Sequence, residues 1–222
     1  MLRKVMSFVV SYVLFFMLSP GCGGTPPLNA ADREVRLRTV DVLKPIIDSY
    51  NTFKDIKGQF KQRSVIKDMD KEMKYEGEFF IKIPSKMFWH YSGADKQEVY
   101  INGGTMTFYQ EKQNQAVRTK YDEKTIGQTP LALLSDLNGA IKNYKATQMA
   151  GYIRLIPNDE QLNITYIDIY TSEGQFPIKR IIVKDKSANE IEIDVFNIAT
   201  NTHIEDSTFV FTAPKGVNVV DN

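Results

Sequence analysis

The chain has 222 residues, 42% of them hydrophobic, with 28 basic side chains against 27 acidic ones and a formal net charge of +1. That balance argues against nucleic acid as a partner, which calls for a basic patch or stripe. A single cysteine makes an intramolecular disulfide impossible.

The N-terminus sets the compartment. Arg3 and Lys4 precede an uncharged, mostly apolar run from Val5 to Leu18, shorter than the ~20 residues of a membrane-spanning helix. Pro, Gly and small residues follow it. This pattern predicts a secretory signal peptide over residues 1–22, with a retained anchor helix as the alternative. Two cleavage positions compete. Leu18-Ser19-Pro20-Gly21-Cys22 resembles the lipobox of bacterial lipoproteins, although the leucine sits one position early and Pro20 is unusual before Gly-Cys. The other cut lies near Asn29-Ala30-Ala31, where small residues suit ordinary signal peptidase. An unpaired thiol is awkward in an oxidising compartment. Either lipidation of Cys22 or its removal with the leader resolves that. Residues 23–34 read as a Gly/Pro-containing linker, and residues 35–222 as one domain large enough to bury a core.

Within that domain Val40, Leu43, Ile47 and Tyr50 recur at three- and four-residue spacing, one face of a helix. Pro45 inside it predicts a kink or restart. From Ile56 the period drops to two, first in Ile56, Gly58 and Phe60, then in Tyr75, Gly77, Phe79, Ile81 and Ile83. Met87, Trp89 and Tyr91 continue it, followed by Val99 and Ile101, a Gly103-Gly104 turn, and Met106 with Phe108. These are strands at hairpin spacing. Thr129-Pro130-Leu131 opens a brief helix through Leu134, with Pro at its first position. Strands resume at Tyr152–Ile156, Leu162–Tyr170, Ile178–Lys184, Glu190–Ile198 and Phe209–Thr212. The expected fold class is α+β: a curved antiparallel sheet with a few helices covering one side.

Residues 77–91 place apolar side chains on both faces of two strands, whereas a water-exposed antiparallel sheet keeps one face polar. No catalytic group accompanies them. Neither His90 nor His203 has an HExxH or CxxC partner, which argues against a zinc site. No Gly-x-Ser-x-Gly element precedes a helix, and Gly103-Gly104 lacks a phosphate-binding fingerprint. The expectation is a binding protein, not an enzyme, with no cofactor and no metal.

Several segments together are similar to one family. They are Gly58-Gln59-Phe60-Lys61-Gln62, Gly77 with Phe79, Ile83-Pro84, Phe88-Trp89-His90-Tyr91, Asn102-Gly103 with Phe108-Tyr109, and Thr129-Pro130-Leu131. Their order resembles the outer-membrane lipoprotein carrier family, LolA. The stretch Phe209 to Val219 is similar to that family's closing strand and Pro-x-Gly-Val turn. The resemblance spans residues 35–220 and implies an unclosed β-barrel with a helical lid over an apolar cavity. It implies a periplasmic, monomeric carrier that takes lipoproteins by their acyl chains from an inner-membrane transporter toward the outer membrane, where an acceptor can receive them. A membrane-anchored, lipidated receptor of the same fold, or a binder of other lipids or hydrophobic ligands, remains the alternative. In well-known members an Arg precedes the strand proline and latches the lid; Ile83 stands there in this chain, with Arg63 and Lys82 as candidate substitutes.

An acyl chain offers no hydrogen bonds, so its site needs apolar area, each buried CH₂ contributing about 0.8 kcal/mol. The candidate cavity residues are Phe79, Ile81, Ile83, Met87, Trp89, Tyr91, Val99, Met106 and Phe108. Val40, Leu43, Ile47, Leu131 and Leu134 are the candidate lid. An ordinary closed core is the competing reading of the same side chains.

Overall fold

The computed structural model describes residues 41–121, 134, 143–160 and 162–221. The signal segment, Cys22, the linker, and residues Val40 and Thr129–Leu131 lie outside the described residues. Residues 41–50 form helix α1. Twelve strands follow: β1 (Asp55–Ile66), β2 (Lys71–Lys82), β3 (Lys86–Tyr91), β4 (Gln97–Asn102), β5 (Thr105–Gln110), β6 (Gln115–Lys120), β7 (Tyr144–Met149), β8 (Tyr152–Pro157), β9 (Ile164–Thr171), β10 (Ile178–Asp185), β11 (Glu190–Thr200) and β12 (Asn218–Asp221). They make one curved sheet in the order β12-β6-β5-β4-β3-β2-β1-β11-β10-β9-β8-β7. Each neighbouring pair is antiparallel except β12 with β6, which is parallel. β12 and β7 do not pair with each other, so the sheet is unclosed.

The alternation of β1 to β5 sorts their side chains cleanly. Ile56, Phe60, Phe79, Ile81, Met87, Trp89, Val99, Met106 and Phe108 are buried on one face and join α1 in a single apolar cluster. Leu43, Ile46 and Tyr50 of α1 point into it, and Ile47 flanks them half-buried. The buried stripe therefore runs through Ile46 where the sequence suggested Ile47. Pro45 brings no restart, because the helix is uninterrupted on both sides of it.

Two glycines let the largest rings cross the sheet. Gly58 pairs with Phe79 and Gly77 with Phe60, so each aromatic lies over a residue without a side chain. A Cβ on Gly77 would sit 1.9 Å from the His90 carbonyl oxygen, which is fixed backbone. A Cβ on Gly58 would meet Ile198 Cδ1 at 2.4 Å, the movable end of a side chain.

The expected strand at Phe209–Thr212 is absent. Asp206–Phe209 forms a short 3₁₀ turn instead, and it packs against β3 and β4. The Phe209/Phe211 alternation imitates a strand, but the segment lies on the outer face of existing strands and its aromatics are satisfied by packing. The turn at Pro214–Val217 follows, and the closing strand comes only at β12. β6 and β7 carry no alternating apolar pattern and were not anticipated; β6 is largely half-buried and β7 mostly exposed.

The chain is redirected after β11 by Asp55, 3% exposed. Its carboxylate accepts hydrogen bonds from Thr202 N (2.7 Å), Thr202 Oγ1 (3.0 Å) and His203 N (3.0 Å). Burial alone would raise its pKa, but those hydrogen bonds outweigh burial and hold it below the usual carboxylate value. A folded-state pKa below the unfolded one means the stabilisation is present at neutral pH and lost as pH falls through the carboxylate range.

Gly77→Ala should destabilise the fold by about 2–3 kcal/mol through backbone overpacking, and Gly58→Ala by less; denaturant melts of the two variants give the ranking. Asp55→Ala should cost about 3 kcal/mol at pH near ~7 because charge-assisted hydrogen bonds are lost. The same variant should flatten the acid limb of stability against pH, which urea titrations across the acid range measure.

Candidate functional site

The inner face is built in cross-strand rows. Gly58, Phe79, Trp89, Val99 and Phe108 form one row across β1 to β5, and Ile56, Ile81, Met87, Ile101 and Met106 form the next. Of the nine candidate cavity residues, eight are at most 4% exposed and lie in this cluster, and Ile83 packs partly buried against it. Stacked and tilted rings tie the row together: Phe60 and Phe79 lie 4.5 and 5.1 Å from Trp89, centroid to centroid. Leu43 and Leu134 of the candidate lid are fully buried in the same cluster, and Ile47 packs against it. Val40 and Leu131 are outside the described residues.

The other half of the inner face escaped the sequence reading as a site. Ile153, Leu155, Ile167, Ile169, Ile181 and Ile193 from β8 to β11 join the same cluster. Their strands were legible, but no family-like motif fell in β8 to β11, so nothing marked these positions as lining. α1 adds Phe53 beyond its end, edge-on to Tyr50 at 5.7 Å.

Toward the β3–β4 loop the inner face turns polar. Tyr91 OH donates to Gln62 Oε1 at 3.3 Å, and Gln62 Nε2 donates to Ser64 Oγ at 3.0 Å. Gln97 and Gln110 are also buried at this end. Burial pushes the Tyr91 hydroxyl pKa well up, so it stays a neutral donor. A cleft of about 560 Å³ borders the same end, lined by Gln62, Tyr75 and Ser92–Asp95 together with charged side chains of β1, β2 and β11.

The second apolar face of residues 77–91 is also accounted for. Phe80, Phe88 and Tyr100 stack across β2 to β4 on the convex side, at 5.7 and 4.5 Å. Phe211 lies against Tyr100 and Tyr109 at 5.5 and 5.4 Å. Ile204 and Phe209 of the same C-terminal segment are buried. Lys82 holds that segment through Asp206 (2.6 Å) and the Ile204 carbonyl (2.9 Å). Arg63 is engaged by Glu72 at 2.9 Å and, more loosely, by Glu190 and Glu192. Both candidate substitutes for a lid-latching arginine are thus committed to convex-face contacts. Among the described residues no group of three or more His, Cys, Asp or Glu could hold a metal, and no helix is long and apolar enough to cross a membrane.

Residues 51–212 match the family model described as outer membrane lipoprotein carrier protein LolA. The chain belongs to the LolA family. It is 27% identical to the outer-membrane lipoprotein carrier protein of Neisseria gonorrhoeae, covering 88% of this chain and 93% of that one. The carrier protein of Photorhabdus laumondii is 30% identical over 66% of this chain and 71% of its own length. Among solved structures, an uncharacterised conserved protein from Thermus thermophilus superposes with a TM-score of 0.50 at 9% identity, covering 82% of this chain and 99% of that one. A LolA superfamily protein from Nitrosomonas europaea superposes with a TM-score of 0.46 at 12% identity, over 78% and 97% of the two chains.

Proposed function

We propose that this protein is a periplasmic lipoprotein carrier that takes the acyl chains of its cargo between the concave sheet face and α1. The single observation carrying this reading is the continuous apolar inner face, whose cover is a helix and Leu134 in place of a second sheet. Family membership and the carrier-named relatives support the same role. The protein works without catalysis or cofactor: cargo is held by area, and release needs only a competing apolar surface.

In this reading Leu43, Ile46 and Leu134 fill the inner face when no cargo is present, and acyl chains replace them. Cargo arrives from an inner-membrane lipoprotein-releasing transporter and passes to an outer-membrane acceptor, with the carrier acting as a monomer. A signal peptide over residues 1–22 delivers it to the periplasm, and lipidation of Cys22 would instead tether it to a membrane. Native mass spectrometry of protein purified from its own envelope should show acylated cargo bound. Phe79→Glu and Trp89→Glu each place a charge on the inner face and should abolish acyl capture. Unchanged capture by a variant that keeps its far-ultraviolet dichroism overturns the assignment.

Ile83 sits at the end of β2, half-buried against the core, where it offers no side-chain hydrogen bond to a lid. An arginine at that position makes charge-assisted bonds of ~1.5–3 kcal/mol. Ile83→Arg should therefore slow amide exchange in α1 and weaken cargo affinity, because a latched cover must open before a chain enters. Exchange and affinity both at wild-type values would rule out a gating role for this position.

A further inference from the structure

We propose that the Trp89 indole N–H is the hydrogen-bond donor for the carbonyl of an ester- or amide-linked acyl chain, fixing which chemical class of lipid the inner face selects and which way round it lies. The inference rests on the acyl-binding reading above and adds the polar contact that area alone does not supply.

Trp89 is fully buried, and its Nε1 has no hydrogen-bond partner. Buried polar groups are normally bonded, and leaving one unmade costs about 1–3 kcal/mol. Its surroundings offer no acceptor side chain: Phe79 and Val99 flank it across the strands, and Phe60 and Phe79 cover its ring. A phenylalanine would pack there without the orphaned donor. The penalty is explained if an acceptor arrives with the ligand.

The neighbouring residues say what kind of acceptor. Tyr91 lies two residues along β3 on the same face, about 7 Å away at the usual strand rise, and belongs to the buried polar chain with Gln62 and Ser64. In the opposite direction along the strand comes Met87, paired with Ile81 and Ile101. Travelling inward, the face thus presents hydroxyl and amide groups, then a single N–H donor, then aliphatic surface. An acylated lipid presents the matching sequence of polar head, carbonyl and methylene chain. The head belongs at the Tyr91–Gln62–Ser64 end, beside the cleft at Ser92–Asp95, and the chain runs toward Met87 and Ile81. Tyr50 OH is the other buried, unpartnered polar side-chain atom among the described residues. It sits against Phe53 and Phe176, at the end where β1 begins, away from Gln62 and Ser64, and is the natural control.

Trp89 is the chain's sole tryptophan, so one indole resonance reports on the site. The protein, isotope-labelled at the indole nitrogen, is titrated in detergent with dipalmitoylglycerol and with dihexadecylglycerol, which has the same chain length but ether links and no carbonyl. The ester should bind about ten-fold more tightly and shift the indole proton downfield, while the ether leaves that proton near its starting position. Trp89→Phe should bind both lipids with equal affinity, and Tyr50→Phe should keep the ester preference. Equal binding of ester and ether by the wild-type protein, or a preference that survives Trp89→Phe or vanishes in Tyr50→Phe, overturns the carbonyl assignment and leaves acyl binding standing. Binding of neither lipid overturns both.

Discussion

The structure depends on one constraint: around Phe80, Phe88 and Tyr100 the strands β2 to β4 carry apolar side chains on the convex face as well as the concave one, and each apolar face must be covered by something other than another sheet. An antiparallel sheet with one wet face needs a single cover. This one needs two, and the chain supplies them from its opposite ends. The N-terminal helix covers the concave face with Leu43, Ile46 and Tyr50, and the segment after β11 covers the convex face with Ile204, Phe209 and Phe211. The covers differ in how they are held. The C-terminal one is fastened by Lys82 and Lys86 on Asp206, by Asn218 N donating to the Asn114 carbonyl, and by the β12–β6 ladder. α1 has among its described contacts chiefly apolar packing and hydrogen bonds within its own turns.

That asymmetry has a functional consequence. Apolar packing is non-directional and roughly proportional to area, so a ligand of similar area can take the place of α1 with little loss. A cover held by ion pairs and a strand ladder has no such substitute, because an acyl chain cannot replace a carboxylate or a backbone donor. In the proposed carrier the concave face is therefore the exchangeable one. At about 0.8 kcal/mol per buried methylene, a handful of methylenes matches one expelled leucine or isoleucine side chain, worth about 1.5–3 kcal/mol. Near-balance of this kind suits a carrier, which must both accept and release.

Much of this was legible in the sequence. The period-two runs from Ile56 to Phe108 placed the strands and sorted inner from outer residues, and the apolar excess of residues 77–91 announced two covered faces. The identity of the second cover was not legible. Phe209 and Phe211 alternate as strand residues do, and only the fold shows them lying across β3 and β4. β7 was hidden because an edge strand needs little apolar content, and its sequence YKATQM is mostly exposed. Arg63 and Lys82 could be considered as latch residues only while their partners were unknown; Glu72 and Asp206 claim them on the convex side.

The unpartnered indole was invisible for a different reason. Residue identity gives a donor, but whether it is satisfied depends on what the fold brings within reach, and Trp89 is surrounded by rings and a valine drawn from three strands. The same strand supplies the contrast: Tyr91, equally buried, has an acceptor because β1 places Gln62 beside it. Two neighbouring positions on one face thus differ in kind, one satisfied by the protein and one left open. An orphaned donor weakens the fold without improving its packing. A carbonyl arriving with a ligand would close the open one, and that is the contact proposed for Trp89.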